Sequence, residues 1–265
     1  YPKVMAHRGG GTYAPENTLA AFRLGAIHGV EGFECDVKLS ADGELFLHHD
    51  ATLPRTTNGV GLAGDKVWEE LSKLDAGSWH SPEYMGEPLM RIRPLIKYCF
   101  ANNLYLDIEL KPNEGEAFQT GQKMAELLLE MTSDESGNLP KKGLIFFSSF
   151  EPEALRGALS IAPEIPRGLL VDEWYAEVPE ILTELQCAGL ITNYKILTDE
   201  MIAENHAQQR FVMVYTPNEA AELTALLARG VDAFITHTLP FIANYHGIEI
   251  NHAMQSLIKY PKKRP

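Results

Sequence analysis

From residue 95 onward, short apolar runs alternate with runs of helical spacing, and this alternation constrains the fold more than any other property of the chain. The helical runs lie near 95–101, 117–131, 152–159, 178–186, 199–207 and 219–229, and they separate strands expected at 104–109, 144–148, 167–171, 189–192, 211–215 and 233–236. Two earlier strands, at 3–6 and 33–37, bring the number to eight. Strands that alternate with helices form a parallel sheet covered on both faces, and eight of them close it on itself. The expected architecture is therefore α/β, a (β/α)8 TIM-type barrel made by one domain over residues 1–265, a length that suits a single barrel. Residues 51–87 break the alternation except for one helical piece at 68–74, so they read as a small cap inserted after the hairpin of the second strand. Pro15 suits the first turn of a helix passing through Leu19, Phe22, Ala26 and Ile27 to a stop at Gly29. The basic, Pro-rich residues 259–265 read as a fraying tail.

A net charge of −13 argues against non-specific binding to nucleic acid or to an anionic membrane surface, while leaving room for a small anion in a local basic pocket. The three cysteines, Cys35, Cys99 and Cys187, are widely spaced and odd in number, which fits a reducing compartment better than a disulfide scaffold. No apolar run is long enough to span a bilayer. The expected location is cytoplasmic, although a chain beginning at Tyr1 leaves room for a leader removed upstream.

In such a barrel chemistry sits at the carboxyl ends of the strands. Phe33, Cys35 and Val37 alternate with Glu34 and Asp36, so the two carboxylates share one face of a strand. A four-residue loop at 40–43 would pair Leu39 with Glu44 and set Glu34 opposite His49. Between Leu104 and Lys111 the alternation is strict, with leucines and Ile108 facing the helical shell and Tyr105, Asp107, Glu109 and Lys111 facing inward. Glu109 is then a third carboxylate beside Glu34 and Asp36, and Asp107 a supporting one. The ordinary reading of Glu109 and Lys111 is a structural ion pair, but it leaves Glu34 and Asp36 without a counter-charge. Three carboxylates favour a hard divalent cation, Mg²⁺ or Ca²⁺, over Zn²⁺. Arg8, followed by Gly9-Gly10-Gly11, and Lys111 add the cations and backbone donors that hold a phosphate oxyanion. His7 and His49 offer two groups that exchange protons near neutral pH. The other seven histidines, His48 and His237 among them, are read as structural, and Ser148, Ser149, Asn193, Thr216 and Thr236 carry little individual weight as ordinary loop-end residues.

His7-Arg8-Gly9, Glu16-Asn17-Thr18, Glu34-x-Asp36-Val37, Asp42-Gly43 with His49-Asp50, Arg55-Thr56-Thr57 and Glu109-Leu110-Lys111 together resemble the glycerophosphodiester phosphodiesterase family in order and spacing. The resemblance continues through Ser149-Phe150, Thr216 with Asn218, and Gly230-Val231-Asp232 with Thr236. It implies a metal-dependent phosphodiesterase that cleaves small glycerophosphodiesters to sn-glycerol 3-phosphate and an alcohol. By position it implies metal ligands at Glu34, Asp36 and Glu109, catalytic histidines at His7 and His49, phosphate contacts at Arg8 and Lys111, and a cap at 51–87. The chain departs from the family pattern at 92–97, at Tyr215 and Pro217, and at His237, where an Asp is common.

Two other classes fit parts of the chain. Gly9-x-Gly11-x-x-Ala14 follows a strand as in a dinucleotide-binding oxidoreductase, but Pro15 moves the helix start beyond the glycines, where that fold needs the glycine turn to open the helix. A non-catalytic phosphodiester-binding barrel would not need the full set of two histidines and three carboxylates.

Overall fold

The computed structural model describes residues 2–132 and 144–239. The strands are β1 (Val4–Ala6), β2 (Gly32–Leu39), β3 (Leu45–Leu47), β4 (Tyr105–Leu110), β5 (Ile145–Ser149), β6 (Arg167–Val171), β7 (Gly189–Asn193), β8 (Phe211–Tyr215) and β9 (Ala233–Thr236). The helices are α1 (Leu19–Ile27), α2 (Trp68–Leu71), α3 (Ile92–Asn102), α4 (Ala117–Thr132), α5 (Pro152–Ile161), α6 (Val178–Glu184), α7 (Asp199–Ala207) and α8 (Ala220–Arg229). β1 pairs in parallel with β9 through Val4↔Phe234 and Ala6↔Thr236, and with β2 through Ala6↔Phe33, which closes the sheet into a ring. Eight strands of the ring are parallel; β3 hangs on β2 as an antiparallel arm. The expected (β/α)8 barrel is the fold observed. The tail at 259–265 lies outside the described residues.

Alternation along each strand sorts its side chains. Leu104, Leu106, Ile108 and Leu110 join Phe33, Cys35 and Val37 in the buried layer between barrel and helices, as their period-two spacing requires. Phe22 from α1 meets Phe33 edge-on, with ring centroids 5.4 Å apart, one of the contacts that fix α1 against β2. The opposite faces fill the barrel interior unevenly. Met5, Phe146, Leu170, Ile191, Met213 and Ile235 form an apolar plug, whereas β2 and β4 contribute the buried charged groups Glu34, Asp36, Lys38, Asp107 and Glu109.

Helices α4 and α5 cross at two glycines. A Cβ on Gly121 would lie 1.9 Å from the Ala154 carbonyl oxygen, and one on Gly157 would lie 2.0 Å from that of Phe118. Only hydrogen at these positions lets the backbones approach so closely. Gly121→Ala is therefore expected to destabilise by about 2 kcal/mol through overpacking, lowering the melting temperature by roughly 5 °C. An unchanged melting curve would show that the helices separate without cost.

Three expectations need correction. Pro15 does not open α1: the helix begins at Leu19, where the Thr18 side chain accepts the Ala21 N–H. Asn17 prevents an earlier start, because its φ of 60° is left-handed and its amide is committed to Asp36. The helical piece expected at 68–74 ends at Leu71. Asp75 draws the chain into a turn by accepting the N–H groups of Gly77, Ser78 and Gly86. The hairpin register is also one residue away from the expected one, with Leu39↔Leu45 and Val37↔Leu47. Its loop is five residues long because the Ser40 hydroxyl accepts the Glu44 N–H while donating to Asp42, which inserts one residue into the turn. In this register Asp36, not Glu34, faces the second arm at His48, whose N–H donates to the Asp36 carbonyl.

Residues 51–87 between β3 and α3 build a small cluster of their own with both flanks, in which Leu53, Ala63, Leu71 and Ala76 pack with Phe46 and Leu89.

Candidate active site

The edge of β2 is shared by two strands. β1 runs beside its first half and stops at Ala6, opposite Phe33; β3 runs beside its second half in the other direction and stops at Leu47, opposite Val37. The two arms thus point at each other along one edge, and the chain leaves both of them beside Glu34 and Asp36. His7 and His49 are the residues delivered there. His49 reaches the site from the irregular stretch after β3 rather than by facing Glu34 across a ladder, so the expected neighbourhood is correct and the expected register is not.

β4 lies on the other edge of β2 in register Asp36↔Glu109. One ligand oxygen each from Glu34, Asp36 and Glu109 fall within 4.8 Å of one another, and all three residues are buried. Glu34 Oε2 accepts the Arg8 N–H at 2.9 Å and lies 3.6 Å from His7 Nε2. Asp36 Oδ2 accepts from the Asn17 amide at 2.7 Å and lies 3.3 Å from Arg8 Nε. Lys111 Nζ donates to Glu109 at 2.8 Å and stands 4.0 Å from Asp36 Oδ1. The expected Glu109–Lys111 pair is present, yet it does not complete the site: among the described residues Glu34 Oε1 and Asp36 Oδ1 have no hydrogen-bond partner although both are buried. Such orphaned acceptors are rare in a folded interior, and two of them beside a third carboxylate form a group that could hold a hard divalent cation.

Electrostatics agree with this reading. Burial, then the neighbouring Asp36 and Glu109, push the Glu34 carboxyl well above the ordinary range. Burial and Asp36 likewise push Glu109 up to about 7 against the pull of Lys111. Burial acts in the same direction on Asp36, but Arg8, His49, Lys111 and the Asn17 amide hold it well below the usual carboxylate range. Asp107 is raised by burial despite accepting the Ser148 hydroxyl at 2.6 Å. His7 is held well below the ordinary imidazole value by burial and then by Arg8, and His49 is lowered chiefly by burial.

A cavity of about 130 Å³ opens over this cluster, lined by His7, Arg8, Glu34, His49, Glu109 and Lys111, with Phe150 and Tyr215 on its far wall. A larger groove of about 780 Å³ lies outside the barrel between the hairpin, α3 and α4. Its arginines are already paired, Arg93 with Glu130 and Arg91 with Glu44, and it holds neither a histidine nor the acid cluster.

The sequence profile of the glycerophosphoryl diester phosphodiesterase family matches residues 7–239. The chain belongs to this family. A glycerophosphodiester phosphodiesterase of Caldanaerobacter subterraneus subsp. tengcongensis is 29% identical over 235 residues, covering 88% of this chain and 93% of that protein. Among solved family structures, an Oleispira antarctica phosphodiesterase in complex with its product sn-glycerol-3-phosphate superposes with a TM-score of 0.82 at 33% identity, over 98% of this chain and 97% of its own. The glycerophosphodiester phosphodiesterase of Agrobacterium tumefaciens strain C58 gives a TM-score of 0.74 at 26% identity, covering 92% of this chain and all of that one, 100%.

All seven residues singled out for chemistry line the cavity or reach the acid cluster. Several neighbours in this candidate site of a glycerophosphoryl diester phosphodiesterase family member were not foreseen. His237, read as structural, places its ring nitrogens 3.1 and 3.2 Å from His7 Nδ1. A signal existed, since it stands directly after the strand-end residue Thr236. Lys38 is buried with its Nζ 2.5 Å from the Asp50 carbonyl, and its place two residues after Asp36 on the same strand face was legible. Glu16, Asp50 and Arg55 were visible only as pieces of motifs. His48, read as structural, donates from Nε2 to the Thr52 carbonyl at 2.9 Å and stacks on Phe46.

Proposed function

We propose that this chain hydrolyses small glycerophosphodiesters to sn-glycerol 3-phosphate and a free alcohol such as choline or ethanolamine. The observation that carries the reading is the meeting of three buried carboxylates, two cationic side chains and two histidines where β1 and β3 end against β2. That a relative at 33% identity was solved with sn-glycerol-3-phosphate supports the choice of product. In this reading the chain is one domain, with 51–87 as a cap.

Glu34, Asp36 and Glu109 would hold a divalent cation, Mg²⁺ or Ca²⁺, which when bound supplies positive charge to a phosphoryl oxygen and favours ionisation of a nearby hydroxyl. Arg8 and Lys111 bind the remaining phosphoryl oxygens, Arg8 through a guanidinium already oriented by Asp36 and Glu16. His7 and His49 move the protons: one accepts from the attacking hydroxyl or water while the other donates to the oxygen of the departing alcohol. Where the substrate's own glycerol hydroxyl attacks, a cyclic phosphate forms, and the histidines exchange roles in its hydrolysis.

The protonation of His49 follows from its neighbour. Hydrogen bonds from Arg55 hold the Asp50 carboxyl well below the usual range, so it is ionised and only accepts. His49 Nδ1, 2.6 Å from Asp50 Oδ1, must therefore carry the proton, which leaves the lone pair of the neutral ring on Nε2.

The test is a panel of glycerophosphodiesters with choline, ethanolamine, glycerol and inositol head groups, assayed with Mg²⁺, Ca²⁺ and Mn²⁺ and again after chelation. Metal-dependent release of sn-glycerol 3-phosphate is expected. Failure to release it from every substrate with every ion would end this reading.

A further inference from the structure

Glu16, Asp50 and Arg55 carry no step of the chemistry above, yet they join two groups that do. Arg55 Nε donates to Asp50 Oδ2 at 2.6 Å and Nη2 to Asp50 Oδ1 at 2.8 Å. Its other edge faces Glu16, with Nη2 donating to Oε1 at 2.8 Å and Nη1 to Oε2 at 2.9 Å. One planar guanidinium thus grips two carboxylates at once, an arrangement that the single ammonium of lysine does not reproduce. Beyond each carboxylate stands a residue of the site. Asp50 Oδ1 also takes the His49 Nδ1 contact at 2.6 Å, and Glu16 Oε1 also takes Arg8 Nη1 at 2.8 Å.

Arg55 is not an idle surface arginine. Its side chain is 44% exposed, but those of Glu16 and Arg8 beneath it are only 13% and 14% exposed, so it closes the run from the solvent side. The backbone on either side is anchored: Leu53, Thr56 and Thr57 are buried, the Thr57 hydroxyl donates to the Leu53 carbonyl, and the Leu53 N–H donates to that of Gly61.

We propose that Arg55 is a positioning residue which, through Asp50 and Glu16 together, fixes the orientation of both His49 and Arg8, so that proton transfer and phosphate binding are aligned by one side chain carried on the 51–87 segment. This rests on the phosphodiesterase reading for the roles of His49 and Arg8, but not for the geometry. Loss of the clamp frees Asp50 to turn from His49 and leaves Glu16 held by Arg8 alone. The ring then loses its single tautomer, and the guanidinium of Arg8 loses its fixed approach. A displacement of about 1 Å at such groups costs turnover on the order of a hundredfold. A merely structural ion pair at this exposure would instead leave kinetics untouched, because partly exposed pairs contribute little.

The experiment compares the parent with Arg55→Lys and Arg55→Gln by three readouts. The ring nitrogens of His49, assigned in ¹⁵N-histidine-labelled protein by loss of its signal in His49→Gln, report the tautomer independently of turnover. The parent is expected to show a protonated Nδ1 alone, and both variants a mixture. With glycerophosphocholine and a divalent ion, both variants are expected to lose kcat on the order of ten- to a hundredfold and to raise KM, while their melting temperatures stay within about 3 °C of the parent. Free guanidinium at millimolar concentration is expected to restore part of the kcat of Arg55→Gln, and sodium at equal ionic strength none. Retention of the single tautomer and of parental kcat in both variants overturns the proposal. If the parent turns over no diester while the tautomer still responds to Arg55, the phosphodiesterase reading fails and the positioning role stands.

Discussion

Glu34→Gln is expected to lose divalent-cation binding and phosphodiesterase turnover together, with kcat/KM falling on the order of a thousandfold and the fold unchanged. This substitution isolates the charge better than a change at Asp36 or Glu109. The partner of Glu34 Oε2 is the Arg8 N–H, which an amide oxygen accepts equally well, whereas Asp36 and Glu109 neutralise Arg8 and Lys111. In the cation-free protein Glu34 is held toward its neutral form by burial and by Asp36 and Glu109, and glutamine is close in shape to that form. Isothermal titration with Mg²⁺ or Ca²⁺ and melting curves with and without chelator check the two halves of the expectation. Full activity after exhaustive chelation, or parental cation affinity in Glu34→Gln, would remove the carboxylate cluster from the mechanism.

The same cluster fixes the sign of the pH dependence. Because Glu109 is pushed up to about 7 by burial and Asp36, and Glu34 is pushed up as well, a cation entering below that pH must displace protons. Affinity should therefore rise as pH rises through about 7, and proton release on binding should vanish well above it. The stabilisation given by the ion, read as the difference in melting temperature between loaded and chelated protein at one pH, should grow over the same window. Histidines that titrate nearby act on both samples and largely cancel in this difference. Affinity independent of pH between 5.5 and 8 would contradict the burial argument.

His7→Ala and His49→Ala are each expected to lower kcat by 10²–10⁴-fold with a much smaller change in KM. The pair can be told apart by the leaving group. An activated aryl diester, whose departing phenolate needs no proton, should recover most of its rate in the variant lacking the acid and none in the variant lacking the base. Near-normal turnover of glycerophosphocholine by either variant would take that histidine out of the reaction. His237→Ala gives a smaller, related effect. Burial, Arg8 and then the His237 ring against Nδ1 all lower His7, so removing that ring should raise the pH at which His7 titrates and shift its limb of the pH profile upward without abolishing activity.

The barrel was legible because its strands obey simple sterics. In β4 the strict alternation of Leu106, Ile108 and Leu110 with Asp107 and Glu109 leaves one arrangement in which the apolar residues meet helices and the acids meet the interior. Three features were not legible, each because a side chain competes with the backbone. Asn17 spends its amide on Asp36 and so delays α1; Asp75 gathers three N–H groups and so ends α2; Ser40 bridges its own turn and so moves the hairpin by a residue. Pattern reading counts residues between elements and does not see such local bonds. The seven candidate residues come together despite the wrong register, because His49 comes from a stretch after β3 where no ladder dictates its direction. Arg55 escaped notice as a functional group because its effect on the chemistry passes entirely through two other side chains.

The head-on meeting of β1 and β3 against β2 also bears on which parts of the chain hold the cluster together. β2, β3 and β4 all lie within the first half of the chain, and their pairing in the barrel sets Asp36 beside Glu109 and ends the second arm of the hairpin next to Val37. β1 touches β2 through the single pair Ala6↔Phe33, and its other three pairs are to β9, the last strand described. Arg8 is held by Glu16, Glu34 and Asp36 from the same half of the chain, but His7 takes anchors from the far end of the barrel, its N–H donating to the Thr236 carbonyl and its ring meeting His237 across the seam. The three acids thus sit on two adjoining strands of one half of the chain, whereas His7 is pinned across the seam, so closure of the ring is what completes the cluster around them.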